Sequence, residues 1–166
     1  MGEAYEAKGG VVAAKENWNL AGVVTVTFDS TGKLWTGSNI PAALLRAESL
    51  GADAVGINCS LGPQQMESFV DEMLTLTNLP IVINPNAGLP VSVNGETSYP
   101  VGPEEFYAYM ERFAEKGAAI LGGCCGTTPE HIRLLAERLK NKPVKERHIE
   151  KKTVVSSYTH TVTFGA

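Results

Sequence analysis

The chain has 166 residues, a formal net charge of −4 and a hydrophobic fraction of 43%. That length is sufficient for one domain with its own hydrophobic core, and the acidic balance argues against a nucleic-acid partner. The first residues carry charges throughout, and no apolar run approaches the ~18 residues that span a bilayer. We therefore expect a cytoplasmic protein that neither carries a secretory signal nor enters a membrane.

The first half of the chain predicts two helices and two strands. A helix is predicted over residues 3–16, although two glycines weaken it. Residues 21–28 are β-branched and apolar enough for a buried strand, and the apolar positions of residues 40–50 have helical spacing. Residues 53–58 then predict a short apolar strand that ends at Cys59.

The second half continues the same alternation. A helix is predicted to begin at Gly62-Pro63, where the missing N–H of proline is harmless, and to end before Pro80. It is followed by a buried strand at 80–85, a loop rich in Gly, Pro and Asn at 86–102, an amphipathic helix at 103–116 and a strand at 118–123. Loops as long as this one, when they occur inside compact domains, are often functional.

The last helix is predicted to begin with Thr128 as N-cap and Pro129 in the first turn. A capping box formed by Thr127 and Glu130 is the alternative. His131 lies in the same first turn, where we expect a surface or capping role and not a catalytic one.

Strands that alternate strictly with helices indicate an α/β fold, because four strand–helix units require a parallel sheet with right-handed crossovers. Residues 140–152 mix Lys, Arg and Glu and predict a solvated linker. The end of the chain predicts a possible lone strand, whose partner would have to come from elsewhere. We therefore expect a main domain at 1–140 and a linker tail at 141–166.

All three cysteines follow predicted strands. Cys59 follows the second strand, and Cys124 and Cys125 follow the fourth, while Asn86 follows the third. In parallel α/β folds, functional groups collect at the carboxyl ends of the strands. Three thiolates without a comparable fourth ligand match a catalytic zinc site with one exchangeable position, and thiolates favour zinc over harder ions. On spacing alone, buried or redox-active thiols remain an equally open interpretation.

Three segments carry a resemblance to a known family. They are GADAVGINCSLGPQQM, PIVINPNAGLP and GGCCGTTPEHI. These segments resemble the homocysteine-binding module of the homocysteine S-methyltransferase family, and the last is its most specific motif. The tail TVVSSYTHTVTFG is similar to the connection between the homocysteine and folate modules in the cobalamin-dependent methionine synthase branch.

The resemblance implies the second half of a (β/α)8 TIM barrel that begins at the helix before the fifth strand. It implies zinc ligands at Cys59, Cys124 and Cys125, with Asn86 as an exchangeable fourth ligand when substrate is absent. The implied substrate is homocysteine, and the implied methyl donor is methylcobalamin, carried by another module. Cobalamin and folate modules are therefore expected as partners.

Four further residues near the cysteines are candidates on position alone. The backbone N–H groups of Gly126 and Thr127, at the start of the last helix, are candidate donors to a substrate carboxylate. Asn58 and Ser60 flank Cys59 and are candidates for orienting this ligand.

The glycine-rich first strand and the fourth-strand acidic residue of the family have no counterpart in this chain. Four parallel strands cannot close a barrel and leave two open edges. We therefore expect a missing N-terminal half-barrel, or a second copy of the chain, as partner. The alternatives are a catalytically incomplete zinc-binding fragment and a redox protein that uses the vicinal thiols Cys124 and Cys125 without metal.

Overall fold

A computed structural model describes residues 20–150 and 152–164. The helix predicted at 3–16 lies outside the described residues. The described helices are α1 (Ile40–Ser49), α2 (Pro63–Met73), α3 (Pro103–Lys116) and α4 (Pro129–Leu139). The strands are β1 (Val23–Val26), β2 (Ala54–Asn58), β3 (Ile81–Asn84), β4 (Val91–Val93), β5 (Glu96–Ser98), β6 (Ile120–Leu121), β7 (Thr153–Ser156) and β8 (Thr161–Phe164).

The main sheet has four parallel strands in the order β1-β2-β3-β6. This confirms the predicted α/β architecture, in which parallel strands alternate with helices. Asn58 at the end of β2 lies opposite Asn84 at the end of β3, so the carboxyl ends of these strands are level. Whatever follows each strand therefore lies at one common rim of the sheet.

One face of the sheet and the helices that cover it form the hydrophobic core. Val55, Ile57, Ile81 and Ile83 alternate along β2 and β3, and all belong to this core cluster. Helix α3 contributes buried side chains at the spacing of an amphipathic helix, namely Phe106, Met110 and Phe113. Apolar burial thus positions the strand ends that carry the candidate site.

Local signals explain where the helices begin and end. Asn39 caps α1, because its side-chain oxygen accepts a hydrogen bond from the Ala42 N–H at 3.0 Å. Helix α3 ends at Gly117, whose φ of 113° is left-handed. Thr128 is the N-cap of α4 with Pro129 in the first turn, as predicted.

The sheet does not close on itself within the described part of the chain. Strand β1 pairs with β2 and strand β6 pairs with β3, so each of these edge strands has one side without a partner strand among residues 20–150 and 152–164. The edge side chains Val23 and Ile120 are 55% and 43% exposed. This open four-stranded sheet is the geometry expected for part of a barrel.

The loop at 86–102 has more structure than predicted. Strands β4 and β5 pair antiparallel across Asn94-Gly95, whose φ values of 54° and 83° are both positive. Positive φ at both central residues is the requirement of a type I′ hairpin turn, and Asn-Gly is its preferred sequence. The loop is therefore a hairpin arm that is anchored at both ends.

The prediction of a lone strand in the tail is wrong. Strands β7 and β8 pair with each other as an antiparallel hairpin, so the partner comes from the tail itself. The linker before them also contacts the main domain, because Arg147 donates hydrogen bonds to the Thr77 and Leu79 carbonyls beyond α2. Among the described helices, none is long and apolar enough to cross a bilayer.

Candidate metal centre

The three cysteines meet at the carboxyl-terminal rim of the sheet. Cys59 directly follows β2, and Cys124 and Cys125 lie in the turn between β6 and α4. Asn86 follows β3, which is the strand between β2 and β6. The order of the strands in the sheet therefore brings Cys59 close to Cys125, although they are 66 positions apart in the sequence.

The distances among the sulfurs suit a single metal ion. The Cys59 and Cys125 Sγ atoms are 3.7 Å apart, and those of Cys124 and Cys125 are 3.9 Å apart. All three sulfurs lie within 4.8 Å of one another, and all three cysteines are free. Thiolates bound at about 2.3 Å to a tetrahedral zinc ion are about 3.8 Å from each other. The triad thus has the dimensions of a three-sulfur site.

The backbone at the first cysteine has an uncommon conformation. Cys59 and Ser60 have φ values of 58° and 64°, so two consecutive non-glycine residues are left-handed. Each such residue costs about 1–2 kcal/mol relative to an ordinary conformation. The Cys59 N–H still donates to the Asn84 carbonyl at 2.9 Å, so the chain leaves the sheet abruptly after this bond. Backbone strain of this kind is concentrated at functional sites.

Hydrogen bonds to the loop after β3 hold the vicinal pair in place. The Cys124 N–H donates to the Pro85 carbonyl at 2.8 Å. The Cys125 N–H donates to Asn86 Oδ1 at 3.1 Å, and the Cys125 carbonyl accepts from the Ala87 N–H at 2.8 Å. The positions of both sulfurs therefore depend on the backbone that follows β3.

Asn86 lies between the two cysteine positions. It is buried, with 3% of its surface exposed, and its side-chain oxygen accepts a hydrogen bond from the Cys125 N–H. Its side chain also contributes to the lowered pKa of Cys59. The structure thus brings Asn86 to the cysteines, as the sequence predicts. Its service as a fourth metal ligand stays a prediction.

The pKa values of Cys59 and Cys124 are shifted in opposite directions. Burial opposes ionisation of Cys59, but hydrogen bonds from the Ser60 N–H and from the Cys124, Cys125 and Asn86 side chains outweigh it and lower its pKa. Burial, together with hydrogen bonds to the other two cysteines, raises the pKa of Cys124 to about 11. Closely spaced thiolates repel each other, so a cation is needed for all three sulfurs to be charged together.

The neighbours predicted on position alone have mixed outcomes. Ser60 acts on Cys59 through its backbone N–H, and Asn58 is half-buried opposite Asn84. Thr127 donates both its N–H and its hydroxyl to the Cys124 carbonyl, at 3.2 and 2.7 Å, so its N–H is already engaged within the turn. A substrate-binding role for Gly126 and Thr127 stays a prediction.

Tyr99 was not predicted as part of this site. It lies at the end of the hairpin arm, and its side chain packs so closely on Gly126 that a Cβ atom there would overlap the tyrosine. Burial, followed by a hydrogen bond with Cys125, raises the pKa of the Tyr99 hydroxyl. No local pattern in the sequence marks this contact, because it joins two separate loops.

His131 is a second residue whose structural role is greater than the sequence predicts. It is buried, with 4% of its surface exposed, so a surface role is wrong and the capping role is confirmed. Its Nδ1 accepts from the Thr128 N–H at 3.1 Å, which leaves Nε2 to donate to the Val101 carbonyl at 3.1 Å. His131 therefore fastens the start of α4 to the end of the hairpin arm.

Comparison with known proteins gives the chain a family. The model of the homocysteine S-methyltransferase family matches residues 1–139. Methionine synthase from Mycobacterium tuberculosis is 39% identical over 141 residues, which cover 84% of this chain and 12% of that protein. Methionine synthase from Mycobacterium leprae is 38% identical over 148 residues, which cover 86% of this chain and 12% of that protein.

Solved structures agree with the fold. The metallated form of the homocysteine methyltransferase MmuM from Escherichia coli is 25% identical with a TM-score of 0.57, over 80% of this chain and 41% of that one. The apo form superposes with a TM-score of 0.61 at 24% identity, over 80% of this chain and 45% of that one. The chain thus spans less than half of these solved relatives and about an eighth of the methionine synthases. The chain belongs to the homocysteine S-methyltransferase family.

Proposed function

We propose that this chain is the metal-carrying part of a homocysteine S-methyltransferase module, with Cys59, Cys124 and Cys125 as zinc ligands. The observation that carries the proposal is the convergence of the three sulfurs within 4.8 Å, in a chain whose residues 1–139 match the family. Soft thiolates select zinc over magnesium or calcium.

The donor set leaves one coordination position for a substrate. Three protein ligands and one exchangeable position are the pattern of catalytic zinc, whereas structural zinc has four protein ligands. We expect Asn86 to fill that position when no substrate is present, because its side-chain oxygen accepts a hydrogen bond from the Cys125 N–H and its side chain helps to lower the pKa of Cys59. Displacement of a neutral amide by a thiolate is favourable at a divalent cation.

Bound zinc would supply the Lewis acidity that removes the proton from a substrate thiol at neutral pH. The chain's own residues hold this chemistry in place. The Ser60 N–H is directed to the Cys59 sulfur, and the Cys125 N–H donates to Asn86. Cys125 is exposed, so an incoming homocysteine can reach the triad. Methylcobalamin on another module is the proposed methyl donor, because the tail resembles the connection in the cobalamin-dependent branch of the family. Both curated relatives are named methionine synthases.

The proposed partner of the chain is the N-terminal half of the barrel. Strands β1 and β6 are the edges of the sheet, and their side chains Val23 and Ile120 are more than two-fifths exposed. Unpaired sheet edges bind further strands readily. The solved relatives, of which this chain spans 41–45%, have the additional length to supply those strands.

A catalytically incomplete zinc-binding fragment is the second candidate function. It is favoured by the same short span, because a chain that holds the metal ligands without the rest of the barrel would bind zinc and not turn over. A redox protein that uses Cys124 and Cys125 is the third candidate.

Metal analysis separates the redox candidate from the other two. We expect purified protein to hold about one zinc ion per chain, and Cys59→Ser to lose it, because two thiolates alone do not complete the site. Ser92→Ala, an exposed hydroxyl loss on β4, is the control and keeps the ion. A wild-type protein that folds but takes up no zinc would contradict the proposed function.

A methyl-transfer assay separates the enzyme from the fragment. The transfer of a methyl group from methylcobalamin to homocysteine is measured for the chain alone and for the chain with its N-terminal half. Turnover in the combined sample, abolished by Cys59→Ser, supports the transferase. Zinc binding without turnover in either sample supports the fragment.

A further inference from the structure

Tyr99 is held in place by the base of the hairpin arm. The Val101 N–H donates to the Ala87 carbonyl at 2.9 Å and thereby closes the loop that starts after β3. The Val101 carbonyl accepts from His131 Nε2, which joins the same point to helix α4. Tyr99 lies two residues before this double anchor, so its position is set by both the β3 loop and the start of α4.

The ring of Tyr99 packs on the turn that carries the vicinal cysteines. A Cβ atom on Gly126 would overlap the Cβ, Cγ and Cδ2 atoms of Tyr99, so the ring lies directly against the Gly126 backbone. Gly126 also has a φ of 78°, a conformation that side chains disfavour. The aromatic ring and the turn are therefore matched in shape at the residue after Cys125.

The ring of Tyr99 lies beside the turn that carries Cys125, the cysteine at the centre of the triad. Cys125 lies 3.7 Å from the Cys59 sulfur and 3.9 Å from the Cys124 sulfur. It is also the most exposed of the three cysteines and directly precedes Gly126, against which the Tyr99 ring packs. Its proximity is one cause of the raised pKa of the Tyr99 hydroxyl. A phenol O–H near a metal-bound thiolate donates to the sulfur and reduces the negative charge that the sulfur shares with the metal.

We propose that Tyr99 is a positioning residue for the metal ligand Cys125. Its ring fixes the turn at Gly126, and its hydroxyl donates to the Cys125 sulfur and tunes the electron density at the metal. This inference rests on the proposed metal site, and it adds a residue from the hairpin arm to a site otherwise built from strand ends.

The test separates the hydroxyl from the ring. Tyr99→Phe keeps the ring and removes the hydroxyl, and Tyr99→Ala removes both. The probe is Co²⁺, whose thiolate charge-transfer absorption reports the electron density on the ligating sulfurs. Zinc affinity is measured in parallel by competition with a chromophoric chelator. Tyr158→Phe, an exposed tyrosine in the C-terminal hairpin, is the matched control.

We expect Tyr99→Phe to shift the Co²⁺ charge-transfer band to lower energy, because a thiolate without its hydrogen-bond donor gives up an electron more easily. Tyr99→Ala is expected to weaken zinc binding by about 10–100-fold, the usual effect of losing a residue that supports a metal ligand. Tyr158→Phe should match the wild type in both measurements.

Two results are decisive against the proposal, and they are distinguishable. A Tyr99→Phe spectrum that superimposes on a clear wild-type Co²⁺ spectrum overturns the role of Tyr99 and leaves the metal site intact. A wild-type protein that binds neither Co²⁺ nor zinc overturns the proposed function and this inference together. If Tyr99→Ala does not fold, the Tyr99→Phe spectrum alone decides.

Discussion

Gly126 is constrained both by its backbone and by its surroundings. Its φ of 78° is left-handed, and the space where a side chain would begin is filled by Tyr99. A substitution there must therefore move the ring, the turn or both. Either movement is transmitted to Cys125, the adjacent residue and a proposed ligand.

We expect Gly126→Ala to destabilise the chain by about 2 kcal/mol, which combines left-handed strain with the overlap against Tyr99. Urea unfolding measures this change, and chelator competition should show weaker zinc binding. Gly102→Ala is the matched control, because a Cβ atom there meets nothing within 4 Å. Equal effects of the two substitutions would show that the contact with Tyr99 is of no consequence.

The three cysteines and Asn86 are predictable from the sequence because each lies shortly after a strand. The conformation of Cys59 and the contact of Tyr99 were not predictable in this way. The left-handed φ at Cys59 is imposed by the surrounding loops on a residue that does not favour it. The Tyr99 contact joins loops that are distant in the chain, and no periodicity encodes such a pair.

At the scale of elements, the linker at 140–152 is bound to the main domain by hydrogen bonds from Arg147. Arg147 donates to the carbonyls of Leu74, Thr77 and Leu79, which follow the end of α2. The carbonyls at a helix end have no partner within the helix, and a guanidinium can bind several of them at once. Burial lowers the pKa of Arg147, in keeping with its position against the domain.

We expect Arg147→Ala to cost about 1–3 kcal/mol of stability, because it leaves polar carbonyls without their donor. Limited proteolysis should then cut the linker faster. Arg133→Ala is the control, since Arg133 pairs with the exposed Glu130 and Glu137 and such pairs contribute about 1 kcal/mol or less. Unchanged proteolysis of Arg147→Ala would mean that the linker is held by other contacts.

The predicted elements fared differently according to the kind of signal behind them. Continuous apolar strands and amphipathic helices were predicted well, because burial dictates their pattern. The two hairpins were missed. The first hairpin has an Asn-Gly turn at Asn94-Gly95, which is a sequence signal for such a hairpin. The second hairpin pairs two strands that are both largely exposed. Without a buried face, neither hairpin has a strong alternation to detect.

At the scale of the whole molecule, the main sheet has two open edges within residues 20–150 and 152–164. Ile120 on β6 and Val23 on β1 are exposed at these edges. Closure of a barrel would cover both edges, and a single copy of this four-stranded sheet cannot do so. We therefore expect this part of the protein to associate with itself or with further strands that complete the barrel.

We expect light scattering after size-exclusion chromatography to show self-association of the isolated chain, weakened by Ile120→Lys, because a charge on an edge strand blocks pairing. Val93→Lys is the control, since Val93 is 51% exposed on the hairpin arm and away from the sheet edge. A stable monomer with a melting profile independent of concentration would contradict this expectation.

Helix α2, strand β3, the hairpin arm, helix α3 and strand β6 all lie between Cys59 and Cys125. An ion bound by both sulfurs would close this stretch into a loop whose two ends are 66 positions apart in the sequence. The free energy of ion binding would then contribute to the folding free energy of all the elements within the loop. Removal of the ion with a chelator would then act on this part of the molecule as reduction acts on a disulfide-bonded domain. In both cases the unfolded chain regains the conformational entropy that the cross-link had removed.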